Sequence, residues 1–146
     1  MRRLQFVTML CVFSALLVAA DNPFLGTWKL NVAKSRGTPG TMNKEEIVTF
    51  AQDGNGIKRT VTGVDADGQK INLSATIPWD GMEHQVEGPN GPAMVAVKSV
   101  NDHTLNVTVK VNGKLVSTGR VVVSKDGKTM TSSFNAILLK TRKGGT

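Results

Sequence analysis

Apolar and polar residues alternate along two long stretches of the chain. Between positions 70 and 79, one side of an extended segment carries only Ile71, Leu73, Ala75, Ile77 and Trp79. In the segment 104–111, a leucine and three valines again occupy every second position. A period of two that is rich in β-branched residues is typical of half-buried β-strands. Six further segments alternate more weakly: 24–30, 45–52, 57–64, 93–100, 115–124 and 129–134. With a shorter stretch at 82–87 as the ninth candidate, the sequence predicts eight or nine strands.

Dipeptides that favour tight turns separate these segments. They are Asp53-Gly54, Asp67-Gly68, Asp80-Gly81, Asn90-Gly91, Asn112-Gly113 and Asp126-Gly127. Asn-Gly and Asp-Gly pairs adopt the positive φ angles of hairpin turns, and their spacing matches that of strand plus turn in an antiparallel meander. The pattern leaves room for no helix beyond one turn near 31–36.

Strands that follow one another in sequence order, each with one apolar face, leave two exposed edges unless the sheet closes on itself. An up-and-down barrel removes those edges and encloses side chains or one small ligand. We therefore predict an all-β protein with a single antiparallel up-and-down β-barrel over residues 21–136.

The first 20 residues have the organisation of a secretory signal peptide. Arg2 and Arg3 precede an apolar run at 4–17, and the small residues at 18–20 allow cleavage before Asp21. The apolar run is too short to be a good membrane span. The sequence therefore predicts a periplasmic or secreted protein whose mature chain has no transmembrane span.

Composition narrows the function classes. The 146 residues carry 18 Lys and Arg against 11 Asp and Glu, a formal net charge of +7. The lysines are spread over many strands and aromatic residues are few, so we expect no nucleic-acid binding. The single cysteine, Cys11, lies in the predicted signal peptide. A disulfide within the mature chain and a cysteine-based metal or redox site are therefore excluded.

The segment Gly26-Thr27-Trp28 resembles the first strand of lipocalins and fatty-acid-binding proteins, the calycin superfamily. A wider set of segments, at 26–31, 34–35, 63–68 and 123–130, resembles a group of exported bacterial proteins with lipocalin-like folds. The resemblance implies a fold and a compartment but brings no known ligand. It also implies that Gly26 and Trp28 act in structural closure of the barrel, since the matching tryptophan of lipocalins closes one end.

Two features depart from that pattern. The chain has no tyrosine, so the Arg-x-Tyr carboxylate site of fatty-acid-binding proteins cannot be carried over. Residues 137–146 lose the alternation and end in a basic stretch. We interpret them as a divergent or frameshifted tail, which predicts a barrel without its closing strand.

Four residues are candidates for ligand binding. Arg59 falls on an apolar strand face, and so does Arg120, which alternates with Val116 and Val122. A guanidinium on an apolar face is costly unless it is paired, so either arginine could hold a ligand carboxylate. Stacking on Trp28, or extension to the barrel rim, is the structural alternative for both arginines. Trp79 and Met94 are expected either to line the mouth of a cavity or to fill the core.

The sequence contains no recognisable catalytic or metal-binding set. His84 and His103 are the only histidines, and neither has a second ligand at metal-binding spacing. We predict no catalytic residues, no metal and no cofactor. The expected function is that of a monomeric, exported, non-enzymatic protein that holds a small hydrophobic or amphipathic ligand inside the barrel. The alternative is a solid-core envelope structural or protein-interaction module without a ligand.

Overall fold

The structure is a computed structural model that describes residues 22–37, 40–88 and 91–136. The predicted signal peptide, its cleavage point before Asp21 and the predicted tail at 137–146 lie outside the described residues.

The described chain is almost entirely β-structure, as the alternation predicts. Its strands are β1 (Gly26–Lys29), β2 (Glu45–Asp53), β3 (Gly56–Val64), β4 (Lys70–Ile77), β5 (Asp80–Gly88), β6 (Gly91–Asn101), β7 (Thr104–Val111), β8 (Lys114–Val123) and β9 (Met130–Ala136). A single-turn 3₁₀ helix spans Val32–Lys34, within the predicted turn near 31–36. The all-β prediction is confirmed.

The hairpin turns form where the sequence places them. Between β7 and β8, Asn112 has a φ of 52° and Gly113 a φ of 75°. Two successive positive φ angles match the right-handed twist of antiparallel strands, which is why Asn-Gly is favoured there. Each strand in turn pairs antiparallel with the next along the chain, except at the step from β4 to β5.

The strands form two separate sheets. The four-stranded sheet has the order β1-β2-β3-β4, and the five-stranded sheet has the order β9-β8-β7-β6-β5. The closed barrel that we predicted is therefore not confirmed, because no ladder joins β4 to β5 or β1 to β9. At the first of these gaps, β4 stops before Pro78. Proline has no N–H to donate to a ladder, so the chain turns a corner there.

The core lies between the two sheets. Its buried side chains come from alternate positions of the strands and from Phe24, which is only 2% exposed: Phe24, Val48, Phe50, Ile57, Val61, Ile77, Val97, Leu105, Val121 and Val123. Trp28 is half-buried and packs against this cluster. Its indole Nε1 donates a hydrogen bond of 2.8 Å to the carbonyl oxygen of Phe24.

Candidate functional site

A cavity of about 500 Å³ lies between the two sheets. Inward-facing residues of both sheets form its wall, among them Val48, Phe50 and Leu73 on one side and Val95, Val107 and Val121 on the other. The same alternation that defines the strands therefore also makes the cavity largely apolar. Such a cavity favours the apolar part of a ligand.

Trp79 stands at the corner where the chain passes from the four-stranded to the five-stranded sheet, and it lines the cavity. Its ring meets Phe24 edge-on, with centroids 5.5 Å apart and an angle of 88°. It meets Phe50 in the same way, at 5.7 Å and 80°. Edge-to-face pairs are a favoured aromatic arrangement, so Phe24 and Phe50 hold the Trp79 ring in place, and Phe50 and Trp79 form part of the cavity wall.

Arg59 also lines the cavity. It lies on the inner face of β3 between Ile57 and Val61, and it pairs with Phe50 of β2 and Ala75 of β4. The side chain keeps a large accessible surface, yet burial among protein atoms lowers the pKa of the guanidinium. The accessible surface and the lowered pKa are compatible because solvent reaches Arg59 through the cavity, while protein surrounds the side chain on the other sides. An arginine stays protonated under these conditions, so the cavity contains a fixed positive charge.

The charge of Arg59 is not neutralised by a direct contact. Within the described part of the chain, its guanidinium has no hydrogen-bond acceptor and no ion-pair partner. Glu46 also lines the cavity and raises the pKa of Arg59 through space, against the larger effect of burial. The Glu46 carboxylate itself accepts a hydrogen bond of 2.5 Å from Asn43 Nδ2. The donors of Arg59 are thus available to a ligand.

Met94 and Arg120 do not line the cavity. Met94 stands between Ala93 and Val95, which face inward, so its side chain lies on the other face of β6. Arg120 is exposed on β8 and pairs with Asn106, whereas the neighbouring Val121 faces inward. The structure therefore separates these two candidates from Arg59 and Trp79.

Gly26 and Trp28 do not close a barrel in this structure. Both belong to β1, which pairs with β2 alone among the described strands, and no ladder joins its other edge to β9. The two residues line this open side of the molecule. The contribution of Trp28 is packing against the core at that edge.

Sequence reasoning missed two residues of the site. Glu46 alternates with Val48 and Phe50 on β2, so an acidic residue on an apolar face was the signal that could have revealed it. Phe134 lines the cavity from β9, although 51% of its surface is exposed. Phe134 lies next to the predicted basic tail, where the alternation ends, so the sequence pattern did not indicate that it faces a cavity.

Neither histidine lines the cavity that contains Arg59. His84 Nε2 is 3.0 Å from Oδ1 of Asp80, in a pair that is exposed to solvent. The Nδ1 atom of His103 is buried and has no hydrogen-bond partner in the described structure. Over residues 22–37, 40–88 and 91–136, no group of three or more His, Cys, Asp or Glu side chains could hold a metal ion. In the same residues, no helix has the length and apolar character needed to cross a membrane.

Part of the chain is similar to a curated ribosomal protein. No family model matches the chain. The chain is similar to the large ribosomal subunit protein uL2 of Ehrlichia chaffeensis, with 32% identity over 107 residues. The matched region is 73% of this chain but 36% of that protein, so the chain spans about a third of the length of the curated relative it matches. Neither result bears on the lipocalin resemblance, which stays a prediction.

Proposed function

We propose that this protein is an exported, non-enzymatic binding protein that holds a small amphipathic acid in the cavity between its two sheets. The observation that carries the proposal is the unpaired guanidinium of Arg59 in a largely apolar cavity. The pattern of residues 1–20 supports export.

The cavity supports both halves of such a ligand. Its volume of about 500 Å³ falls in the range, roughly 300–1,000 Å³, of pockets that enclose drug-sized molecules. Apolar surface that enters it contributes about 25 cal/mol per Å² removed from water. This contribution is non-directional, so the apolar walls accept chains of different shapes.

Arg59 supplies the directional part. Its planar guanidinium can donate two parallel hydrogen bonds to one carboxylate, and such charge-assisted bonds are stronger than neutral ones. In the proposed complex the carboxylate binds Arg59, and the apolar chain lies along Val95, Val107 and Val121 on the facing sheet. A ligand carboxylate also neutralises a charge that burial makes unfavourable.

Calorimetric titration with octanoate and with octanol tests the proposal. The two probes share the eight-carbon chain and differ in the ionised carboxylate. We expect octanoate to bind more tightly than octanol, and Arg59→Met to weaken octanoate binding by about 10- to 100-fold, the value of one to two charge-assisted hydrogen bonds.

Arg120→Met is the matched control, because it removes an arginine from a strand of the facing sheet outside the cavity. It should leave octanoate binding unchanged. Octanoate binding that is equally tight in wild type and in Arg59→Met would contradict the proposal. If neither probe binds, the alternative of a structural or protein-interaction module gains support, although the cavity volume favours a ligand.

A second candidate function comes from the comparison. The matched relative is named as a component of the large ribosomal subunit, and this chain has a net charge of +7, which suits a polyanionic partner. Cell fractionation discriminates the two functions. Recovery outside the cytoplasm, with an intact mass that begins at Asp21, supports the exported binding protein. Full-length protein that co-sediments with ribosomal subunits supports the second candidate.

A further inference from the structure

A second hollow lies on the open side of the molecule, between β1 and β9. Its volume is about 930 Å³, and it is more polar than the cavity between the sheets. All of β1 and the first half of β9 border it, from Met130 to Ser133. We call this region the seam.

The backbone at the seam has unused pairing capacity. Among the strands that the structure describes, β1 and β9 are edge strands, so each has one side with no described neighbour. Such edges present rows of free N–H and C=O groups that can pair with another extended chain. A Cβ built on Gly26 would meet no described atom within 4 Å, so the face of β1 is open at this residue.

The side chains around the seam are mostly basic. The seam cations are Lys29, Lys34, Arg36 and Lys128, and all four are exposed. None of them forms an ion pair among the described residues. Of the described residues that line the seam, Glu46 is the one that is acidic. The seam therefore combines a free strand edge with a positive potential.

We propose that the seam is a docking site for an acidic, extended peptide segment of a partner protein, which adds a strand to the free edge of β9 and places its carboxylates against the seam cations. Backbone pairing at an exposed edge supplies affinity, and alternate side chains of the added strand supply specificity. Complementary charge steers the encounter and selects the partner.

Charge argues against the other occupants. Residues 137–146 of this chain contain Lys140, Arg142 and Lys143 and no acidic residue, so they repeat the charge of the seam instead of complementing it. A second copy of the mature chain, without Arg2 and Arg3, brings 16 Lys and Arg against 11 Asp and Glu, a net charge of +5, to a basic surface. An acidic partner segment is the occupant that the electrostatics favours.

The test uses a fluorescein-labelled peptide of eight residues in which glutamate and valine alternate. Fluorescence anisotropy is measured at about 0.15 M salt, where charges more than about 8 Å apart are screened. We expect binding of this peptide and none of a peptide in which lysine replaces glutamate. The paired change Arg36→Glu and Lys128→Glu should weaken binding at least about tenfold, because it sets like charges against each other.

The control variant carries Lys58→Glu and Lys114→Glu. These exposed lysines, one in each sheet, lie outside the seam, and the change in net charge is the same. If the control variant weakens binding as much as the seam variant, general charge attraction explains the result and the proposal fails. Thermal melts check that both variants are folded.

Amide hydrogen exchange of the wild-type protein tests, without any variant, whether the peptide pairs with β9. The bound peptide should slow exchange in β9 at 131–133, and unchanged exchange there would overturn the proposal. The seam does not depend on the ligand proposed for the cavity, so octanoate binding should be the same in the seam variant and in wild type.

Discussion

The ring of Phe134 occupies the space directly above Gly119, where any other residue would place its Cβ. The two residues are paired across β8 and β9, and an ideal Cβ on Gly119 would overlap the Cδ1, Cε1 and Cζ atoms of the ring. Covering a strand glycine with an aromatic ring from the next strand fixes the pairing of the two strands. The contact lies within the ladder that joins the edge strand β9 to β8, and the Phe134 ring also forms part of the cavity wall.

Gly119→Ala should destabilise the protein by about 1–3 kcal/mol, since the added methyl group forces the Phe134 ring out of its place. Chemical denaturation measures the change. In a Phe134→Ala background the same alanine should cost less, because the clash has been removed, and a double-mutant cycle gives the coupling. Equal costs in the two backgrounds would show that the ring does not constrain Gly119.

Trp28→Ala should lower the free energy of unfolding by about 3–5 kcal/mol, because it removes a large aromatic side chain that packs against the core. Trp28→Phe keeps most of that packing and loses the hydrogen bond to the Phe24 carbonyl oxygen. It should therefore cost less, about 1 kcal/mol for the hydrogen bond. A Trp28→Ala variant that melts at the wild-type temperature would show that β1 is not part of the stable core.

Arg59→Met should leave the protein as stable as wild type or make it more stable. Burial disfavours the charged guanidinium, no direct partner compensates for it among the described residues, and methionine fills a similar volume without a charge. Thermal and chemical denaturation provide the comparison. A large loss of stability would mean that Arg59 serves the fold instead of a ligand.

Asp80 should titrate below the usual range of an aspartate. A hydrogen bond from the backbone N–H of Met82 is the main cause of the lowered pKa, and the hydrogen bond from His84 adds to it. A carboxyl whose pKa is lower in the folded state stabilises the fold above its unfolded pKa. This stabilisation disappears as the pH falls through the folded value.

Carbon-detected NMR titration of Asp80 measures this pKa. In His84→Ala the pKa should rise only part of the way back, because the bond from Met82 remains. A full return to the ordinary aspartate value would assign the effect to His84 instead.

The strands were predictable because each has one apolar face. Alternation such as that of Leu105, Val107 and Val109 records the burial of one side of a strand, and burial is what the core requires. The hairpin at Asn112-Gly113 was also predictable, because few residue types adopt the positive φ angles that this turn requires.

The faces of β8 and the closure of the barrel were not predictable in this way. Val122 lies on the same face as Arg120, while Val121 and Val123 lie on the inner face, so both sides of the strand look apolar in sequence. Register with β7 decides between them, and register is a tertiary property. Whether β1 pairs with β9 depends on how two strands from opposite ends of the described chain are placed, which no local pattern encodes.

Native mass spectrometry of the protein, purified gently from the compartment where it accumulates and compared with Arg59→Met, shows whether the cavity holds a small acid. For the wild-type protein we expect a compact ion that carries a small acidic molecule. Arg59→Met should lose this adduct and Arg120→Met should retain it. A compact wild-type ion with no adduct, which also fails to take up octanoate, would contradict the claim that the cavity is a site for an amphipathic acid.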